Sequence, residues 1–228
     1  MYSEQTIRKY LAAMKDAVDY YSTVVTNTSK HKVSISEGND KIGHVPNVSI
    51  PPVLSCPHCA ECMWWCYDIR DCFRWGYDFT SGPAAARAKN WVIFRTSPKR
   101  YFEDIARYLA EIHPSHFRWH VGGDTPNEVY RDGMLWIGEK FPETFFWSYT
   151  KEYELWNPVD LPKNFVMMYS EWRGLEMDNP HNRPTFKVRF KGEDIPQGCT
   201  WKCPGNCDIC RAAHRGCVVG ESTWVDEH

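Results

Sequence analysis

The sequence predicts an α/β protein built on a partial (βα) barrel of about five or six units. An N-terminal helix precedes the barrel, and a C-terminal cysteine-rich, metal-binding extension follows it. Short apolar segments alternate with helical segments along the middle of the chain, which is typical of parallel βαβ units. The chain has 228 residues, and the part after residue 41 is shorter than the ~250 residues of a complete eight-unit barrel. We expect three regions: N-terminal helix and linker 1–40, partial barrel with the first cysteine loop 41–195, and cysteine-rich segment 196–228.

The helices are recognised by apolar spacing and by their first residues. Residues 3–22 carry apolar side chains at helical intervals, which indicates an amphipathic helix. Pro83 and Pro98 stand where the first turn of a helix accepts proline. The run 125–128 reads Thr-Pro-Asn-Glu, a capping box that predicts a helix ending at about Lys140.

Short apolar runs between these helices predict the parallel strands. They cover 117–121, 144–149, 164–170 and 185–190, with a further short helix at 151–156. Functional groups of parallel α/β proteins gather where strands end and loops begin. This rule selects His120, Asp124, Lys151 and Arg173 as catalytic candidates, and Gly122, Gly123 and Asp124 as cofactor-binding candidates.

Two of these candidates also have a structural explanation, and the sequence leaves both explanations open. Gly122 and Gly123 suit close backbone approach to a ligand, and they equally suit a tight turn before a capped helix. His120 alternates with Trp119 along the strand, so it is either a catalytic side chain or a hydrogen-bonded core histidine.

Composition and charge narrow the functional classes. Lys plus Arg total 27 and Asp plus Glu total 29, so the net charge of −2 excludes a uniformly basic nucleic-acid coat, although not a local basic patch. The apolar runs are too short to cross a bilayer, and the N-terminal residues have no apolar signal core. We therefore expect a cytoplasmic protein that is not in a membrane.

The ten cysteines are the most informative feature, because they form two groups. Five lie between Cys56 and Cys72, and five between Cys199 and Cys217. Gaps of two or three residues favour metal ligation over disulfides in a chain without an export signal. The predicted metal ligands are Cys56, Cys59, Cys62, Cys66, Cys203, Cys207, Cys210 and Cys217.

Two metal chemistries fit this spacing. The first group has the two-, two- and three-residue gaps of bacterial iron–sulfur proteins, with Tyr67 where proline usually follows. We expect one or two iron–sulfur clusters of the 4Fe–4S type, with zinc as the alternative, because zinc takes four Cys or His ligands. The spacing does not decide whether the remaining candidates ligate, namely Cys72, Cys199, His58 and His214.

Several runs in order resemble the phage-type gene product 88 family. They are Lys41 to Pro52, the cysteines 56, 62 and 66 with Tyr67, the run 117–124 (FRWHVGGD), the run 146–153 (FWSYTKEY) and the run 203–210 (CPGNCDIC). The resemblance spans about 39–217 and implies a phage-type protein in a bacterial host cell. It singles out Cys56, Cys62 and Cys66, with Cys59 and Cys72 as additions.

The layout of a cysteine loop followed by βα units and a Gly-Gly-Asp turn also resembles radical SAM proteins. In those enzymes a similar turn contacts S-adenosylmethionine (SAM), which implies such a role for Gly122, Gly123 and Asp124. Cys203, Cys207 and Cys210 have the C-x3-C-x2-C spacing of that family, but they lie after the last predicted strand. An auxiliary or structural cluster is therefore expected there.

Three functions follow from these features. The first is a radical-SAM-like iron–sulfur enzyme, in which Lys151 and Arg173 hold an anionic small-molecule substrate. The second is a non-catalytic, iron–sulfur- or zinc-stabilised module that binds nucleic acid through Lys202, Arg211 and Arg215, with exposed Trp side chains stacking on bases. A solvated surface is the simpler explanation of these three charges. The third is an iron–sulfur nuclease whose divalent metal is bound by Asp124, Glu128 and Asp132 on one helical face, although helix capping and surface charge explain these carboxylates more simply. Neither the substrate nor the oligomeric state follows from the sequence.

Overall fold

The structure is a computed structural model that describes residues 1–26, 30–40, 42–59, 62–74 and 79–227. In these residues the α-helices are α1 (Glu4–Val24), α2 (Tyr67–Arg74), α3 (Gly82–Thr96), α4 (Pro98–Ile112), α5 (Glu128–Lys140), α6 (Tyr153–Trp156) and α7 (Cys207–Ala213). The strands are β1 (Ile35–Ser36), β2 (Asn47–Val48), β3 (His116–Trp119), β4 (Phe145–Thr150), β5 (Phe165–Ser170), β6 (Thr185–Arg189), β7 (Trp201–Lys202) and β8 (Thr223–Asp226).

The eight strands form one open sheet in the order β1-β2-β3-β4-β5-β6-β8-β7. The pairs β3–β4, β4–β5, β5–β6, β6–β8 and β7–β8 are all parallel. The predicted α/β class is therefore confirmed. A barrel is not confirmed, because the edge strands β1 and β7 have two residues each and offer few backbone groups for closing the sheet.

Two predicted boundaries near residue 120 were wrong. Strand β3 ends at Trp119 because His120 has a φ of 56°, which leaves the extended region. Helix α5 begins at Glu128 rather than at Pro126, because Asn127 caps it: its Oδ1 accepts a hydrogen bond from the Tyr130 amide at 3.0 Å.

The chain folds as two compact units. Unit 1 comprises Met1–Ile35, Val48–Ile112 and His120–Met134, and unit 2 comprises Ser36–Asn47, His113–Trp119 and Leu135–His228, where His228 itself lies outside the described residues. In unit 1 the amphipathic face of α1 is buried as the sequence predicts. Tyr10 and Met14 are fully buried there and pack with Ile69 and Cys72 of α2. Each such side chain contributes ~1.5–3 kcal/mol through burial.

The core of unit 2 lies on both faces of the sheet. On one face Phe146 of β4 stacks on Phe165 of β5, with ring centroids 6.1 Å apart. On the opposite face Trp147 packs with the buried Cys210 and Cys217. Because successive residues of a strand point to opposite faces, Phe146 and Trp147 lie on different faces of the sheet. The C-terminal cysteines therefore cover the face that carries Trp147.

None of the helices in the described part of the chain combines the length and the apolar character needed to cross a membrane.

Candidate metal centres

The first group of cysteines lies in unit 1, in the loop between β2 and α2. We call Cys56, Cys59, Cys62 and Cys66 the first thiol group. The loop is folded by successive tight turns, in which the Cys56 amide donates to the Val53 carbonyl at 3.4 Å and the Met63 amide to that of Cys59 at 3.0 Å. These turns keep the four cysteines in one compact loop, within which Ala60 and Glu61 lie outside the described residues.

The thiols of this group interact with one another. Cys59 is buried, and its thiol is hydrogen-bonded to those of Cys56 and Cys62, which together with burial raises its pKa. Burial also raises the pKa of Cys66, and the nearby charges of Asp68, Cys62 and Cys56 add to the effect. Cys59 and Cys66 therefore each interact with both Cys56 and Cys62.

Cys72 has a different environment, although it follows the same loop. It is buried on α2 in the apolar core of unit 1, where Arg87 Nη1 donates to its sulfur at 3.4 Å. Burial is the main cause that raises its pKa to about 11. His58, the other undecided candidate here, is exposed.

The second group lies in unit 2, around the start of α7. We call Cys203, Cys207, Cys210 and Cys217 the second thiol group. Helix α7 begins at Cys207 because the Asn206 side chain accepts the Asp208 amide at 2.8 Å. Cys210 follows one turn later on the same helical face. The second predicted run thus folds as a turn, a short helix and a 3-10 turn that contains Cys217.

Polar side chains of the sheet surround this second thiol group. The Trp201 indole Nε1 donates to Cys210 Sγ at 3.4 Å, and Arg118 Nη1 lies 4.0 Å from Cys207 Sγ. Burial raises the pKa of Cys217 to about 12, while the Tyr149 and Thr223 hydroxyls bond to its thiol and lower that pKa. Cys199 lies apart and bonds to the Thr223 carbonyl at 3.5 Å.

All ten cysteines are free thiols. Within the described residues, no set of three or more Cys, His, Asp or Glu side chains is arranged to hold a metal ion. The donor chemistry of both groups suits a soft metal, but the sulfur atoms would have to reorient around it.

A family model described as Gene product 88 matches residues 22–197, which is most of the chain. The chain belongs to the gene product 88 family. The match includes the first thiol group and ends before the second, whereas the sequence resemblance was expected to reach residue 217. The chain matches no curated protein and no solved structure, so kinship to radical SAM proteins is not shown.

In this gene product 88 family member, the predicted Gly-Gly turn packs against unit 1 itself. A Cβ atom on Gly122 would lie 1.9 Å from Asp68 Oδ2, and the Gly122 amide already donates to Ser49 Oγ at 3.3 Å. Gly123 has a φ of 91°, and a Cβ there would lie 2.7 Å from Ile50. Both glycines are thus required by their neighbours in the fold, which does not test whether they also bind a cofactor.

His120 and Asp124, at the two ends of this turn, are both buried. His120 Nε2 lies 3.1 Å from the Tyr130 hydroxyl, which lies 2.7 Å from that of Tyr101. Asp124 Oδ1 accepts a hydrogen bond from the Thr125 amide at 2.7 Å. These contacts are those of a hydrogen-bonded core histidine and a turn-forming aspartate, and the catalytic roles stay predictions.

Lys151 and Arg173, the candidates for an anionic substrate, both contact aromatic rings in unit 2. Lys151 Nζ lies 5.4 Å from the ring centroid of Trp172, and the Arg173 guanidinium lies 3.7 Å from that of Phe190. Arg173 also forms an ion pair with Glu193.

The charges that suggested nucleic-acid binding are balanced by carboxylates. Each of these cations is paired: Lys202 with Asp226 at 2.7 Å, Arg211 with Asp208 at 3.0 Å, and Arg215 with Glu221 at 2.6 Å. The exposed residue His214 ends α7 in a left-handed conformation. Among the described residues we find no observation that favours a nucleic-acid site.

The acidic side chains of the nuclease hypothesis do not share one helical face. Asp124 precedes α5, whereas Glu128 and Asp132 lie on it. Asp132 is paired with Arg131 at 2.8 Å.

Sequence patterns did not indicate the polar side chains around the second thiol group. Arg118 stands beside Trp147 in the register of β3 and β4, so both side chains lie on the face that the cysteines cover. Alternation within each strand would have grouped Arg118 with Tyr149. The sequence contains no signal that brings Trp201 of β7 and Thr223 of β8 to the same cysteines.

Proposed function

We propose that this family member is a metalloprotein whose first thiol group binds an iron–sulfur cluster, with a second metal centre at the second thiol group. The observation that supports it most is the contact of the Cys59 thiol with both Cys56 and Cys62. The ten free thiols are also consistent with a reducing cytoplasm.

The electrostatics of the first thiol group favour a bound cation. Hydrogen bonds to the Cys56 and Cys62 thiols, followed by burial, raise the pKa of Cys59, and burial raises that of Cys66. Repulsion between neighbouring thiolates adds to both shifts. A cation coordinated by these sulfurs would offset the repulsion and keep them deprotonated. The two-, two- and three-residue gaps favour an iron–sulfur cluster of the 4Fe–4S type, and zinc is the alternative.

A radical-SAM-like activity is a narrower proposal on the same site. Gly122 lies against Asp68, only two residues after Cys66, so the glycine turn and the first thiol group are neighbours within unit 1. SAM binding at Gly122, Gly123 and Asp124 would require the Ser49 hydroxyl and the Asp68 carboxylate to move. The test is formation of 5′-deoxyadenosine from SAM by reduced, iron-loaded protein. Iron-loaded protein that neither binds nor cleaves SAM would end this narrower proposal and leave the cluster proposal intact.

Anaerobic purification with iron, sulfide and zinc analysis tests the metal centres. We expect the parent protein to be brown. The iron and sulfide content per chain should be lower in the variants Cys56→Ser, Cys59→Ser, Cys62→Ser and Cys66→Ser. Cys72→Ser and Cys199→Ser are matched controls, because these thiols lie apart from the two groups. Iron that is equal in all six variants and the parent would contradict the proposal, and stoichiometric zinc without iron would replace the cluster by a zinc site.

A further inference from the structure

Polar side chains from four strands of the sheet surround the second thiol group: Trp201 and Arg118 donate to cysteine sulfurs, and Thr223 accepts from the Cys217 thiol. Arg118 belongs to β3, Tyr149 to β4, Trp201 to β7 and Thr223 to β8. Their distances to the cysteine sulfurs are 3.4 Å for Trp201 Nε1, 4.0 Å for Arg118 Nη1 and 3.7 Å for Thr223 Oγ1. Tyr149 is additionally hydrogen-bonded to Cys217.

The Trp201 indole is held in one orientation. Arg215 lies over its ring at 4.6 Å from the centroid, and a Cβ on Gly216 would lie 2.8 Å from its Cδ1. Gly216 has a φ of 70°, a conformation that glycine adopts without strain. The indole is therefore confined between a guanidinium and a glycine backbone, with its N–H directed at Cys210.

The guanidinium over Trp201 is itself fixed. Arg215 donates to Glu221 through Nε at 2.9 Å and Nη2 at 2.6 Å, and Glu221 also accepts the Gly216 amide at 2.7 Å. One carboxylate thus holds both neighbours of the indole. This chain of contacts fixes the Trp201 N–H that donates to Cys210. A neutral thiol is only a weak acceptor, so a donor fixed in this way suits a thiolate better than a thiol.

We infer that Trp201 is a positioning residue that orients the Cys210 thiolate for metal binding, with Arg118 acting in the same way on Cys207. The inference rests on the proposed second metal centre and extends it to residues outside the cysteines. Donors of this kind fix the ligand and stabilise its charged form, and their loss typically lowers metal affinity about 10–100-fold.

The test uses full-length protein that carries Cys56→Ser and Cys66→Ser, so that thiolate-to-cobalt absorption reports the second thiol group. The probe is Co²⁺, titrated against a competing chelator. Trp201→Phe keeps an aromatic ring between Arg215 and Gly216 and removes the N–H together with part of the bicyclic ring. We expect about 10–100-fold weaker Co²⁺ binding, with a change in the unfolding midpoint of the metal-free protein no larger than that of the control Trp224→Phe. Arg118→Gln is a second variant and is expected to weaken binding in the same direction.

Trp224→Phe is the matched control. Trp224 is a buried tryptophan of the same unit whose ring contacts Arg189 and Lys202, and we expect parental affinity from this variant. If Cys207→Ser abolishes the cobalt absorption but Trp201→Phe binds Co²⁺ with parental affinity, the inference about Trp201 is overturned and the second metal centre is kept. An undiminished signal in Cys207→Ser would overturn both the second centre and the inference.

Discussion

The Asp68 carboxylate occupies the space next to Gly122 that any larger residue would need. A Cβ on Gly122 would lie 1.9 Å from Asp68 Oδ2, and Asp68 is itself fixed by an ion pair with Arg87 at 2.5 Å. This contact connects the predicted glycine turn with the helix that follows the first cysteine loop. It also defines the first two tests of the fold.

Gly122→Ala is expected to destabilise the protein by ~1–3 kcal/mol, because the added methyl group overlaps a buried carboxylate that cannot move away freely. Chemical denaturation measures the change in unfolding free energy. The double variant Gly122→Ala/Asp68→Ala is expected to cost less than the sum of the two single changes. Strictly additive effects would show that the methyl group does not meet Asp68.

Arg87→Met is expected to destabilise the protein by ~3–5 kcal/mol, because Asp68, with a side chain only 2% exposed, would lose its charge partner. Removing both charges with Arg87→Met/Asp68→Leu is expected to cost less than Arg87→Met alone. Thermal or chemical unfolding measures both. If Arg87→Met/Asp68→Leu is as unstable as Arg87→Met, the unpaired Asp68 carboxylate is not the cause of the destabilisation.

Cys72 is expected to react slowly with iodoacetamide at pH 8. Burial raises its pKa to about 11, so only a small fraction of Cys72 is thiolate at pH 8. Mass spectrometry of the alkylated peptide gives the rate, with denatured protein as the control. We expect the rate to increase through pH 8–10 in native protein. A native rate equal to the denatured one would contradict the buried position of this thiol.

Glu221 is expected to contribute stability that is lost in acid. Arg215 holds its pKa at about 2, below the ordinary 4.5. A lowered carboxylate pKa adds stability above the unfolded-state value and loses it as the pH falls from about 5 to 2. Glu221→Gln should remove about 1 kcal/mol or less at pH 7 and flatten this acid dependence, whereas the exposed Glu176→Gln should not. The prediction is contradicted if the unfolding free energy of Glu221→Gln depends on pH in the same way as that of the parent.

Much of the fold follows from local patterns. Helix α1 and the strands β3 to β6 lie within about two residues of the predicted ranges, and α3 and α4 begin within one residue of the predicted prolines. Apolar spacing and proline positions are read from neighbouring residues. Helices α2 and α7 were not predicted, since both are short and begin within cysteine-rich runs. The prediction of a capping box at 125–128 was wrong, because Thr125 is fully buried and Asn127 caps the helix instead.

The sequence by itself determined the α/β class, the family and the division of the cysteines into two groups, because composition, order and spacing along the chain carry that information. Only the tertiary structure decided that β8 inserts between β6 and β7, that Asp68 meets Gly122, and that Arg118 and Trp201 approach the second thiol group. These contacts join residues far apart along the chain, and their side chains meet only once strand order and packing are set.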